Sequence, residues 1–105
     1  MIIQLRQSVK FENNYQIKKA TMFSEHAATQ LELSDEDQKF IYDTYIAKFM
    51  NDRENIFGKD LSKEERQAVY KASSKKLRQS MKVRFDQPTT AAIMKAVLEL
   101  QKRNQ

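Results

Sequence analysis

Cysteine is absent from this sequence, which rules out a disulfide framework, a thiolate metal site and a cysteine nucleophile. A single glycine, Gly58, leaves nothing from which to build a Gly-rich phosphate loop. One glycine and one proline, Pro88, also supply too few turn residues for a sheet-rich fold, which needs a turn signal about every 8–12 positions. The only histidine, His26, lies on the polar side of its helical pattern with Glu25 as its one acidic neighbour, and reads as a solvated side chain. No apolar run approaches the ~18 residues of a membrane span. The opening MIIQLRQSVK has no continuous apolar core of signal-peptide length. The expectation is a cytoplasmic protein of prokaryotic or viral type with no cofactor and no metal.

What the chain does contain suits one helical domain. Apolar residues make up 40% and charged residues 31% of 105 positions, too much Phe, Tyr, Ile and Leu for disorder. A single domain over 1–105 can bury roughly two thirds of its unfolded surface. The predicted fold class is mainly α, a compact four-helix domain, with short strands at about 8–11 and 81–85 as an optional addition. The charge of +5 is unevenly placed. Residues 31–65 carry ten acidic against five basic groups, net −5, and residues 66–105 carry ten basic against two acidic, net +8.

Caps and periodicity place the helices at about 14–31, 35–57, 62–80 and 89–103. Asn13 and Asn14 are N-cap candidates for the first, whose predicted core face is Ile17, Ala20, Phe23, Ser24, Ala27, Ala28 and Leu31, with Lys18, Lys19, His26 and Gln30 away from it. Ser34 precedes Asp35-Glu36-Asp37, three carboxylates where a helix dipole favours them. Gly58 is the natural residue to end that helix near Ile56 or Phe57, and Ser62-Lys63-Glu64-Glu65 fits a capping box. Pro88 reads as a break, with Thr89 or Thr90 capping the last helix. The strands rest on alternation in Val9–Phe11 and Met81–Phe85, two stretches that echo each other and that pairing would explain.

Two stretches draw functional attention. Phe40–Met50 is apolar around its whole circumference, so it must be covered on every side. It reads as the core of the four-helix domain, and Phe40, Tyr42, Tyr45 and Phe49 are the candidates for a partner or homodimer interface. In the third helix Lys71, Lys75, Arg78 and Lys82 recur at i, i+4, i+7 and i+11, within a wedge of about 60°. Such a cationic stripe suits contact with successive phosphates. Lys76 and Arg84 extend the candidate site.

Other constellations are weaker. A helix-turn-helix over 35–79 would put Lys63-Glu64-Glu65 against the bases, where carboxylates repel phosphate. A ribbon-helix-helix strand would offer little beyond Lys10 and Arg6. Asp35, Glu36 and Asp37 are consecutive and point in different directions, so they cap and do not chelate. Asp52…Lys63 fails as a calcium loop because Gly58 and Lys63 hold the wrong positions. The expected function is a non-enzymatic regulator or accessory factor that binds nucleic acid, DNA first, through the phosphate backbone. The alternative is a protein-binding adaptor or inhibitor of phage or plasmid type acting through an acidic or aromatic surface.

Overall fold

The helix ends are set by local chemistry. The computed structural model describes the backbone of residues 2–103 and the side chains of residues 15–103, and it contains four helices: α1 (Ile2–Leu31), α2 (Asp35–Ile56), α3 (Lys63–Arg84) and α4 (Gln87–Arg103). The hydroxyl of Ser34 accepts from the Asp37 amide (3.1 Å) and opens α2, with Asp35, Glu36 and Asp37 in its first turn. α2 ends at Ile56, with Gly58 in the left-handed region at φ 73°. Ser62 and Glu65 form the reciprocal capping box that opens α3: the Glu65 amide donates to the Ser62 hydroxyl and the Ser62 amide to Glu65 Oε1. These termini are those expected from the sequence.

Three expectations are corrected. The backbone runs helically through 8–11 and through Asn13-Asn14, because nothing between Ile2 and Leu31 breaks a helix, so no strand forms there. The faces expected for Val9 and Phe11 lie outside the described side chains. Residues 81–84 are also helical. Met81 and Phe85 are buried at 0% and 8% exposure because they continue the i+4 series of Ser73 and Leu77, while Val83, the supposed strand partner on that face, is 84% exposed. Pro88 is no break: Asp86 caps α4, accepting from the Thr89 amide (2.8 Å), and Pro88 occupies the first turn, where its missing N–H needs no partner. Thr89 and Thr90 therefore lie inside the helix.

The link from α1 to α2 is closed by a motif the sequence did not advertise. The Leu33 amide donates to the Ala28 carbonyl (2.9 Å), and Glu32 between them adopts φ 53°. This is a Schellman-type end with glutamate where glycine is usual.

α2 packs on both α1 and α3, α1 also packs on α4, and α3 touches α4 least. Connections of three, six and two residues join successive helices. The buried core is drawn from all four: Ala20, Phe23 and Ala27; Ile41 and Tyr45; Leu77 and Met81 with the adjoining Phe85; Ile93 and Val97. Ala20, Ser24, Ala27 and Ala28 present small side chains on α1, which lets its neighbours approach closely. One end of the bundle is closed by the edge-on pair Phe40–Phe85 (5.8 Å, 77°) and by Arg84 Nε donating to Asp37 Oδ1 (2.6 Å).

Candidate functional site

The stripe on α3 has all four of its members, since the helix continues to Arg84 and keeps Lys82 in register. Lys71, Lys75, Arg78 and Lys82 are exposed, span about 16 Å of helix axis, and have no hydrogen-bond or ion-pair partner among the described residues. Lys76 and Arg84 do not join them. At 100° per residue Lys76 lies about 130° and Arg84 about 150° from the stripe's centre. Arg84 is also engaged elsewhere: it holds Asp37, whose carboxyl falls below the usual range chiefly through that bond, and it lies 5.7 Å from the Phe40 ring.

Beside the stripe lies a cleft of about 800 Å³. α1 lends it Tyr15, Gln16, Lys19 and Phe23, and α2 with its C-cap Phe57 supplies the side from Tyr45 onward. α3 contributes Tyr70, Ser74, Leu77 and Arg78, and α4 contributes Met94 through Gln101 on its inward face. Arg78 belongs to both features, so the stripe and the cleft are continuous.

The cleft's electrostatics centre on Asp52, which is 8% exposed. Lys48 donates to Asp52 Oδ2 at 2.7 Å, one turn apart on α2. Asp52 Oδ1 and Gln16 Oε1 are buried with no hydrogen-bond partner among the described residues. Lys19 lies 5.0 Å from the Phe49 ring centroid and 5.8 Å from that of Phe23, where burial, with Lys48 next, pulls its ammonium below the usual lysine range while Asp52 opposes. Lys48 also faces Tyr70 (5.7 Å) and Arg53 faces Phe57 (5.5 Å). Arg78 and Lys95 are further cations among the described residues of the walls.

Periodicity placed Lys19 away from the core face, and the structure corrects this. Its long side chain folds back over Phe23 one turn later. Lys48 and Asp52 carried one legible signal, their i, i+4 spacing. The hub aromatics divide. Tyr45, offered for an interface, is 4% exposed and edge-on to Phe23 (5.4 Å), so it is core, and burial pushes its hydroxyl up. Phe40 closes the stapled end, Tyr42 packs half-buried against the core, and Phe49 forms cleft wall. Phe57, just after them in the chain, is an exposed aromatic, at 66%.

Among the described residues no helix is long and apolar enough to cross a membrane, and no group of three His, Asp or Glu side chains is placed to hold a metal ion. No protein-family model matches this chain, and comparison with curated proteins and with solved structures returned no match.

Proposed function

We propose that this protein is a non-enzymatic nucleic-acid-binding factor, a regulator or accessory protein, whose α3 stripe contacts the phosphate backbone. The observation that carries the reading is the exposed row of Lys71, Lys75, Arg78 and Lys82 on one helix face, without an ion-pair partner among the described residues. Cations held at helical spacing neutralise neighbouring phosphates and release their counterions, which drives association without reading sequence. The aromatic cleft adjoining Arg78 favours a single strand over a duplex, since a groove that combines cations with ring faces accepts unstacked bases. Glu64 and Glu65 in the first turn of α3 argue against insertion of that helix end into a major groove. Replacing Lys75 and Arg78 together by glutamate is expected to abolish strand binding at low salt. Unchanged affinity in that double variant sinks the proposal.

A second reading is favoured by the apolar rim. Phe57 (66% exposed), Tyr70 (47%) and Leu98 (51%) stand around the cleft, as they would for a protein partner laying an apolar face across it. That reading expects a complex that survives the Lys75 and Arg78 reversals.

A further inference from the structure

Four of the large apolar side chains that the described residues leave in water stand around one cleft, and each comes from a different part of the chain. Tyr15 (67% exposed) rises from α1, Phe57 (66%) from the C-cap of α2, Tyr70 (47%) from α3 and Leu98 (51%) from α4. Scattered singly, such residues need no explanation, but gathered on one rim they mark a surface that a partner covers. Lys48 stands 5.7 Å from the Tyr70 ring centroid, and Arg53 stands 5.5 Å from that of Phe57. What these two side chains still expose is apolar area, and apolar packing demands no particular ring face.

Two further properties specify the partner. The elements that line the cleft are all helices, so among the described residues no sheet edge is offered to an extended segment. A helix satisfies its own backbone and presents anchors at i, i+3 or i+4 and i+7, the form that an apolar rim accepts. The second property is charge. Asp52, the one carboxylate on the cleft lining among the described residues, is buried and held by Lys48. The exposed charges on that lining are the cations Arg78 and Lys95. On α4, Lys95, Leu98 and Lys102 are all exposed and fall within a wedge of about 60°, with Glu99 as their one acidic neighbour on the helix. Resting on the second reading above, we propose that the rim docks an acidic amphipathic helix of a protein partner. Its apolar face covers Tyr15, Phe57, Tyr70 and Leu98, and its carboxylates lie toward Lys95 and Lys102. With the carboxylates on the α4 side, reversing Lys75 and Arg78 leaves this complex in place.

The test uses the full chain and two synthetic helical peptides of about 15 residues, both with leucine and phenylalanine anchors at i, i+4 and i+7. One carries glutamate on its flanks and the other carries lysine at the same places. Fluorescence anisotropy is expected to show about tenfold tighter binding of the glutamate peptide. Tyr70→Ala and Leu98→Asp, both at exposed positions, should each weaken that binding about tenfold, the effect of losing one interface anchor. Lys95→Glu with Lys102→Glu should reverse the preference, so that the lysine peptide binds more tightly. Equal binding of both peptides, lost in Tyr70→Ala and Leu98→Asp, overturns the acidic partner and leaves the apolar rim standing. Glutamate-peptide binding that ignores both rim substitutions overturns the docking site. Binding of neither peptide overturns the rim reading itself, and Tyr70-dependent binding of a single-stranded oligonucleotide would then assign the cleft to nucleic acid. A solution mass that doubles in the native chain but not in Leu98→Asp overturns the proposal in favour of a second copy.

Discussion

Lys48 donates to one oxygen of Asp52 at 2.7 Å, and the other oxygen of the same carboxylate is buried without a partner among the described residues. The two side chains are only 15% and 11% exposed, so this is an interior ion pair at the head of a cleft and not a surface decoration. Breaking such a pair strands a charge, whereas removing both members removes the desolvation penalty too. Asp52→Ala is therefore expected to lower the unfolding free energy by about 3–5 kcal/mol. The joint replacement Lys48→Met with Asp52→Leu should return stability to the native value or above it. Denaturant titration of the three chains checks both statements. Equal losses in single and double variants would contradict them.

Lys19 gives a pH dependence of definite sign. Burial first, and Lys48 second, lower its ammonium pKa below the usual 10.5, so the folded chain releases that proton before the unfolded chain does. The unfolded state then holds more protons between the lowered value and 10.5, and stability gained from this group rises with pH across that window. Tyr45 acts oppositely: burial raises its pKa, so its contribution is full below 10 and is lost as the unfolded state ionises above it. Subtracting the curve of Lys19→Met from that of the native chain cancels Tyr45. The difference should show the methionine variant more stable at neutral pH, with the gap narrowing as pH rises toward 10.5. A gap that widens with pH refutes the assignment.

The two left-handed residues predict opposite effects of exchanging glycine. Glu32 at φ 53° bears a strain that glycine lacks, and Glu32→Gly should stabilise by about 0.5–1 kcal/mol. Gly58 at φ 73° has open space where a Cβ would be placed, so Gly58→Ala meets no clash and only the backbone term remains. It should destabilise by about 1 kcal/mol. Thermal unfolding of both variants measures the signs.

Features decided within a few residues were legible in the sequence. Ser34, Gly58 and the Ser62–Glu65 box act through adjacent amides, and the Lys71–Lys82 stripe lies on one helix, so periodicity alone assembles it. Alternation at Met81–Phe85 misled because every fourth residue from Ser73 was equally apolar or small, and the i+4 series won once α2 lay against it. Asp86 was hidden by Pro88, since a proline in a first turn and a proline after a helix look alike locally. The cleft was illegible for a deeper reason. It is made by Lys19, Asp52, Tyr70 and Lys95 on four different helices, and only tertiary packing brings them together.

Phosphate contact through the α3 stripe shows most plainly in the salt dependence of single-strand affinity. Contact with four phosphates at about −0.7 each predicts a slope near −3 in log K against log salt between about 50 and 200 mM. Replacing Lys71, Lys75, Arg78 and Lys82 by glutamine should remove most of that slope together with the affinity. A chain that binds no strand even at about 50 mM salt, or a glutamine variant with the native slope, contradicts the claim.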